Sequence, residues 1–178
     1  RINENIMNNR DKVIVTGGCG FIGSHLVEKL LNDNYDVLVL DNLSTGRLEN
    51  LDHLNDQQKL KIVETDITDS NLLNELFAGA KWVFHLAALA DIVPSIQMPE
   101  KYHEANVNGT LSVLQATKIN NVERFVYAAS SSCYGIPDNY PTSETAEIRP
   151  QYPYALTKYL GEQYVMHWAN VYNLPALS

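Results

Sequence analysis

Two side chains at the start of a helical pattern could act together as an acid/base pair. The segment "PYALTK" places Tyr154 and Lys158 four residues apart, which makes them neighbours on one face of a helix. A tyrosine has a reference pKa of about 10, too high for a base at neutral pH, but a nearby ammonium favours the phenolate. The spacing therefore indicates either an ordinary amphipathic helix start or a tyrosine that a lysine activates.

A second group of residues could hold phosphates. Glycines recur in "VTGGCGFIGSHL" as Gly17-x-x-Gly20-x-x-Gly23. Gly17 permits a tight turn, Gly20 lets the backbone approach a pyrophosphate, and Gly23 allows the next helix to lie close to the sheet. The free N–H groups in the first turn of that helix would face the phosphates. Because a strand pattern precedes the glycines and a helix pattern follows them, they predict dinucleotide binding.

Two aspartates end predicted strands and could contact the adenosine part of such a ligand. Asp41 follows Gly23 by about eighteen residues, where a carboxylate accepts hydrogen bonds from ribose hydroxyls and repels a 2′-phosphate. Asp41 therefore favours NAD over NADP, although a simple turn residue would also fit its position. For Asp66, contact with adenine and capping of a helix are both compatible with the spacing.

A scaffold of alternating strands and helices would position these groups. Strands are predicted over 12–17, 36–41, 61–66, 81–88 and 124–130, with a sixth beginning in "LPALS" near the end of the chain. Helices are predicted over 20–32, 71–77, 99–120 and 152–172, and 136–150 is predicted to be a surface loop. Continuous apolar strands separated by helices predict an α/β fold, a Rossmann-type doubly wound parallel sheet with helices on both faces.

Composition narrows the class of protein. With 178 residues, 45% hydrophobic and 19% charged, the chain is expected to form one globular domain over 12–178, preceded by a flexible leader over 1–11. The net charge of −8 argues against a nucleic-acid or membrane partner. Two isolated cysteines indicate a reducing, cytoplasmic location. The sequence shows no metal-ligand cluster, and His85 and His25 lie in apolar surroundings typical of packed residues.

Seven motifs in order along the chain point to one family. They are "TGGCGFIGSHL", "DNLSTG", "TDITD", "FHLAALADIVPS", "NVNGT", "YAASSSCYG" and "YPYALTK". With these motifs, residues 12–178 resemble the extended short-chain dehydrogenase/reductase family, in particular its NAD-dependent nucleotide-sugar epimerases. The resemblance implies a bound NAD, a UDP-hexose substrate and a homodimer formed through the two long helices, 99–120 and 152–172.

The resemblance also implies a role for individual residues. The catalytic set would be Ser130, Tyr154 and Lys158, although Ser131 or Ser132 could take the role of the serine, and these three serines with Tyr154 would contact substrate. The cofactor would be bound by Tyr154 and Lys158 together with Gly17, Gly20, Phe21, Ile22, Gly23, Asp41, Asn42, Ser44, Thr45, Gly46, Asp66, Ile67, Leu86, Ala87, Ala88 and Asn106.

The reaction that the resemblance implies is inversion at C4 of a UDP-hexose through a transient 4-keto sugar. Tyr154 would remove the proton of the 4-hydroxyl while C4 gives a hydride to NAD⁺, and Ser130 would orient that hydroxyl. Related dehydratases and decarboxylases carry carboxylic acids where this chain has Ser131 and Ser132, so these serines favour the epimerase. A dehydratase, a decarboxylase, a non-catalytic NAD-binding module and an oxidoreductase that releases NADH stay as alternatives.

The length of the chain is also informative, because members of this family are usually much longer. We expect this chain to be a truncated fragment without the substrate-binding C-terminal part, and to turn over slowly.

Overall fold

The computed structural model describes residues 11–54 and 58–178. The predicted flexible leader therefore lies outside the described residues, apart from Asp11. That residue is held in place, because its carboxylate pairs with the Lys81 ammonium at 2.8 Å and its carbonyl accepts a hydrogen bond from the Asp36 amide.

The described residues form one parallel sheet of six strands, in the order β3-β2-β1-β4-β5-β6. The sheet order reverses between β1 and β4, and in open α/β sheets ligands bind at the carboxyl ends of strands at such a switch point. The strands are β1 (Lys12–Thr16), β2 (Asp36–Asp41), β3 (Leu60–Glu64), β4 (Ala80–His85), β5 (Arg124–Tyr127) and β6 (Ala176–Leu177).

Six α-helices connect or flank the strands. They are α1 (Phe21–Asn32), α2 (Ser70–Leu76), α3 (Ile92–Gln97), α4 (Pro99–His103), α5 (Gly109–Ile119) and α6 (Pro153–Tyr172). Short 3₁₀ turns cover Leu48–Leu54 and Ser131–Tyr134, and a π-helical turn, Glu104–Asn108, joins α4 to α5. Among the described residues, no helix is apolar over enough of its length to cross a bilayer.

Helices cover both faces of the sheet, which confirms the predicted fold class. On one face, Val13 and Val15 of β1 pack in a cluster with Val27 and Leu30 of α1. The intervening Ile14 points to the other face, where its cluster includes residues of α5 and α6. All five side chains are at most 5% exposed, and each contributes roughly 1.5–3 kcal/mol by leaving water.

The sequence defines both ends of the long helix α6. Pro153 occupies the first turn, where its fixed φ suits a helix and its missing N–H is not needed. The helix ends where Asn173 adopts a left-handed conformation, with φ of 53°. The helix thus spans 20 residues and carries Tyr154 and Lys158 in its first two turns.

The structure differs from the sequence prediction at three places. The helix predicted over 99–120 is interrupted by the π-helical turn, and α3 was not predicted at all. The strands β3, β4 and β5 end at Glu64, His85 and Tyr127, two to three residues earlier than predicted. The residues that follow leave the sheet because they form the wall of a cavity at its carboxyl edge.

Candidate active site

A cavity of about 760 Å³ lies at the carboxyl ends of the strands, where the sheet order reverses. Loops after β1, β2, β3, β4 and β5 all contribute to its wall, and α6 closes one end. Of the residues predicted to bind a cofactor, all but Asn106 line it: Gly17, Gly20, Phe21, Ile22, Gly23, Asp41, Asn42, Ser44, Thr45, Gly46, Asp66, Ile67, Leu86, Ala87, Ala88, Tyr154 and Lys158.

The glycine loop between β1 and α1 has no room for a side chain at Gly17 or Gly23. Gly17 has a φ of 71°, and a Cβ there would lie 2.7 Å from the amide nitrogen of Ala87. A Cβ on Gly23 would collide with the carbonyl oxygen of Gly17 and would lie 2.8 Å from the Cα of Gly18. Helix α1 begins after Gly20 without a side-chain cap, so the N–H groups of its first turn are available to an anion.

Asp41 links the glycine loop to the loop after β2 at the cavity wall. Its side chain is 7% exposed, and its carboxylate accepts hydrogen bonds from the amides of Cys19 and Leu43, both at 2.9 Å. A Cβ on Gly46 would come within 2.9 Å of both carboxylate oxygens. The glycine loop and the loop after β2 are thereby fixed around one buried negative charge.

Of the two roles that its spacing left open, Asp66 does not take the helix cap, and its contact with adenine stays a prediction. The carboxylate lines the cavity and also accepts hydrogen bonds from the Thr68 amide at 3.0 Å and the Asn42 side chain at 2.8 Å. Burial alone would raise the pKa of Asp66, but these hydrogen bonds outweigh it, and the pKa lies below its ordinary value. The cap of α2 is instead Asp69, which accepts from the Leu72 amide.

The predicted acid/base residues meet at the α6 end of the cavity. The Tyr154 hydroxyl lies 3.4 Å from Ser130 Oγ, longer than an ideal O–H···O bond of about 2.7 Å but within the range that ligand binding tightens. Tyr154 and Lys158 both line the cavity. Ser130 therefore reaches the site through its contact with Tyr154.

The other two serines take different positions. The amide of Ser132 donates to Ser130 Oγ at 3.2 Å, which fixes the orientation of the Ser130 side chain at the start of a 3₁₀ turn. Ser131 is exposed, and among the described residues none of Ser130, Ser131 and Ser132 lines the cavity. Ser130 is distinguished by its contact with the Tyr154 hydroxyl, which favours it as the serine that acts with Tyr154.

The ammonium group of Lys158 is unusual because it is buried. The side chain is 4% exposed, and burial lowers its pKa to about 8, while the carboxylate of Glu162 one turn further along raises it. Burial disfavours the charged form of a lysine because the ammonium loses its hydration. Strongly perturbed lysines of this kind concentrate at functional sites.

Asn106 does not join the other predicted cofactor residues on the cavity wall, because its side chain lies behind the wall at 1% exposure. Its amide pairs with the backbone of Leu89, accepting from the N–H at 2.8 Å and donating to the carbonyl at 3.0 Å. The second amide hydrogen goes to Thr157 Oγ1 at 3.0 Å. Asn106 thus positions the loop after β4 against α6.

His85 is a packed residue, as the sequence indicated. It is 1% exposed and lies between the hydroxyls of Thr16 at 2.7 Å and Thr110 at 2.9 Å. Burial, with a smaller effect from the charge of Lys158, lowers the pKa of His85 to about 3, so the imidazole is neutral at physiological pH.

Sequence reasoning missed several residues of the wall. Ala128 and Ala129 directly follow β5, and the rule that ligands bind at the carboxyl ends of parallel strands could have found them. The residues that α4 and the π-helical turn contribute to the wall carry no signal in the sequence. The unpredicted residues are Leu40, Thr65, Thr68, Leu89, Ala90, Glu100, Lys101, Glu104, Ala105, Ala128 and Ala129.

Potential metal ligands do not cluster in this region. Across residues 11–54 and 58–178, there is no group of three or more His, Cys, Asp or Glu side chains with metal-binding geometry. The chemistry that the cavity can support with its own side chains is therefore hydrogen bonding, proton transfer and stabilisation of negative charge.

Comparison with known proteins gives a consistent match to one family. The sequence pattern of the family described as GDP-mannose 4,6 dehydratase covers residues 14–178. A UDP-glucose 4-epimerase from Mycolicibacterium smegmatis is 40% identical over 166 residues, which is 92% of this chain and 53% of that protein. The chain spans about half the length of the curated relatives it matches.

Solved structures agree with the sequence match. A UDP-N-acetylglucosamine 4-epimerase from Methanobrevibacter ruminantium, solved with UDP-N-acetylmuramic acid, superposes with a TM-score of 0.89 at 36% identity, over 94% of this chain and 53% of the other. A dTDP-glucose 4,6-dehydratase from Streptomyces venezuelae, solved with NAD bound, also gives a TM-score of 0.89, at 32% identity and over 93% and 53% of the two chains.

Proposed function

The chain belongs to the GDP-mannose 4,6-dehydratase family of extended short-chain dehydrogenases/reductases, and we propose that it carries the NAD site and the acid/base groups of a nucleotide-sugar 4-epimerase. The observation that carries the proposal is the meeting of Ser130, Tyr154 and Lys158 at one end of a cavity whose other end is a glycine-rich loop. The substrate would be a UDP-hexose.

The residues of the cavity fit NAD. Gly17 and Gly23 keep the turn tight, because a Cβ on either would collide with backbone atoms, and Gly20 would let a pyrophosphate approach the backbone. The uncapped start of α1 offers N–H donors. Asp41 would accept hydrogen bonds from the adenosine ribose and would repel the additional phosphate of NADP. Lys158 would hold the nicotinamide ribose, and the bound cofactor would supply reversible hydride transfer.

Tyr154 would act as the base. Its hydroxyl lies 3.4 Å from Ser130 Oγ, so both oxygens can contact one substrate hydroxyl. The positive charge of Lys158 would stabilise the phenolate that forms when Tyr154 loses its proton. Ser130, whose Oγ accepts from the Ser132 amide, keeps its own O–H free to donate to the sugar oxygen. After the 4-keto sugar turns its other face towards the cofactor, return of the hydride to C4 and of the proton to O4 would complete the inversion.

The residues beside Ser130 favour an epimerase over a dehydratase. Elimination from a 4-keto sugar needs a carboxylic acid and a base near C5 and C6, and related dehydratases place those groups where this chain has Ser131 and Ser132. A serine hydroxyl does not replace a carboxyl group as a general acid at neutral pH. Inversion at C4 needs no further acid/base pair, so Ser130 and Tyr154 suffice.

Other features of the molecule support three further parts of the proposal. Exposed apolar side chains lie on the helices expected to form a homodimer, with Ile119 on α5 and Leu156, Met166 and Val171 on α6 between 41% and 59% exposed. The cysteines of the described chain are free and buried, as suits the reducing cytoplasm. The net charge of −8 disfavours nucleic acid and anionic membranes as partners.

Incubation at stoichiometric protein concentration tests the proposal even if turnover is slow. The chain, NAD⁺ and UDP-glucose are incubated for hours, and the nucleotide sugars are separated by anion-exchange chromatography beside the variant Tyr154→Phe. We expect UDP-galactose with the unchanged chain and none with the variant. A 4-keto-6-deoxy sugar would identify a dehydratase, and bound NAD⁺ with unconverted sugar would identify a binding module.

A further inference from the structure

The buried ammonium of Lys158 has an aromatic ring as its direct partner. Lys158 Nζ lies over the ring of Tyr127, 4.1 Å from the centroid. Among the described residues, no carboxylate lies within ion-pair distance of this ammonium. A cation over the face of an aromatic ring is attracted by the ring quadrupole, and the attraction grows when water is excluded. Both side chains are at most 4% exposed, so this contact is desolvated.

The same tyrosine also holds the backbone of Lys158. The Tyr127 hydroxyl donates a hydrogen bond to the carbonyl oxygen of Lys158 at 3.1 Å. One turn further along α6, Gly161 lets the helix approach this closely, because a Cβ there would lie 2.5 Å from the Tyr127 hydroxyl oxygen. Tyr127 therefore contacts Lys158 at both ends, at its ammonium and at its main chain.

The other groups around the ammonium do not replace the ring. His85 of β4 packs against Tyr127 with 5.6 Å between ring centroids and is neutral, hydrogen-bonded to hydroxyls of β1 and α5. Glu162 and Tyr154 lie on α6 itself, one turn on either side of Lys158. Glu162 contributes a favourable charge at longer range. Glu100 and Lys101 of α4 and Glu104 of the π-helical turn line the same cavity.

We propose that Tyr127 is a positioning residue whose ring keeps the Lys158 ammonium charged and in place beside Tyr154, and whose hydroxyl anchors α6 at that point. The inference rests on the proposed role of Lys158 in the acid/base set. Tyr127 belongs to β5 and is not among the described residues that line the cavity. It therefore acts only through Lys158.

Losing the Tyr127 ring would change the charge state of Lys158. Burial already lowers the pKa of Lys158 to about 8, so the amine is mostly protonated at pH 7. A desolvated cation–π contact changes a protonation equilibrium by roughly tenfold, or about one pKa unit. Without the ring, the neutral form of Lys158 would be favoured roughly tenfold more than with it, and the stabilisation of a Tyr154 phenolate would weaken accordingly.

The experiment titrates Lys158 in the full chain without cofactor or substrate. Lysine is labelled at ¹³Cε, the resonance of Lys158 is assigned by its absence in Lys158→Met, and its chemical shift is followed from pH 6 to 11. Tyr127 is replaced by phenylalanine and then by its difluoro and trifluoro analogues, which weaken the ring quadrupole while keeping the shape of the ring. All members from phenylalanine onward lack the hydroxyl and keep the shape of the ring, so differences among them report the ring quadrupole alone.

A stepwise fall in the pKa of Lys158 with fluorination, of about one unit in total, is the expected result. A matched control is the contact of Lys118 with Tyr172, 3.7 Å from ammonium to ring centroid, and Tyr172→Leu should leave the Lys158 titration unchanged. A Lys158 pKa that stays constant across the fluorinated series would overturn the proposal. Since no step needs NAD or sugar, failure of the proposed epimerase function would be seen separately.

Discussion

Replacing Lys158 by methionine should stabilise the fold while removing its function. Methionine matches the unbranched stem of lysine and carries no charge, so it relieves the desolvation of a side chain that is 4% exposed. Burial lowers the Lys158 pKa from its ordinary value near 10.5 to about 8. At about 1.36 kcal/mol per pKa unit, the charged form costs the folded state about 3 kcal/mol.

The sign of the pH dependence follows from the lowered pKa. Between about pH 8 and 10.5, the unfolded chain binds a proton at Lys158 that the folded chain does not, so the stability of the unchanged protein rises with pH there. The advantage of Lys158→Met is therefore largest below pH 8 and shrinks above it. Because methionine also gives up the contact with the Tyr127 ring, we expect a gain of about 1–3 kcal/mol at pH 7.

Urea unfolding followed by far-UV circular dichroism, at several pH values from 7 to 10, measures this gain. Lys61→Met is the control, because Lys61 is exposed on β3 and its loss should change the free energy of unfolding by less than about 0.5 kcal/mol. If Lys158→Met were less stable than the unchanged chain at pH 7, or if its advantage did not decrease between pH 8 and 10, the reasoning on the buried ammonium would be refuted.

Three further changes test the geometry of the cavity. Gly23→Ala should lower the affinity for NAD⁺ in calorimetry by about 100-fold or more, because its Cβ collides with the Gly17 carbonyl. The control Lys29→Ala, at an exposed position of the same helix, should bind NAD⁺ as before, and equal affinities of the two variants would contradict this. Asp41→Ala should narrow the preference for NAD⁺ over NADP⁺ about tenfold, and an unchanged preference in competition binding would argue against it. Asn106→Ala should cost about 3 kcal/mol in urea unfolding, since it leaves the half-buried backbone amide and carbonyl of Leu89 unpaired. A cost below about 0.5 kcal/mol would exclude the positioning role.

The sheet and most of the cavity wall could be predicted because each depends on local sequence. The apolar runs around Ile14 and Val39 identify buried strands without knowledge of the fold. The glycine spacing identifies the loop at the end of β1, and parallel strands bring their carboxyl ends to one edge. For the same reason, Asp41 and Asp66 could be placed together from their positions at strand ends.

Contacts between residues distant in the chain could not be predicted. The π-helical turn contains Asn106, which pairs with the backbone of Leu89, 17 residues away, and a continuous helix pattern carries no sign of this contact. Tyr127 contacts Lys158 across 31 residues, and on β5 its sequence context is that of any buried strand residue. Such pairings require the three-dimensional arrangement of β5 against α6.

Deuterium tracing tests the proposed reaction most directly. The chain is incubated at stoichiometric concentration with NAD⁺ and UDP-glucose deuterated at C4, and the products are analysed by mass spectrometry and NMR. We predict UDP-galactose that retains deuterium at C4. The reason is that the site has one acid/base set, Ser130, Tyr154 and Lys158, and that Ser131 and Ser132 provide no carboxyl group. A 4-keto-6-deoxy sugar with deuterium at C6, or unconverted UDP-glucose in the presence of bound NAD⁺, would contradict it.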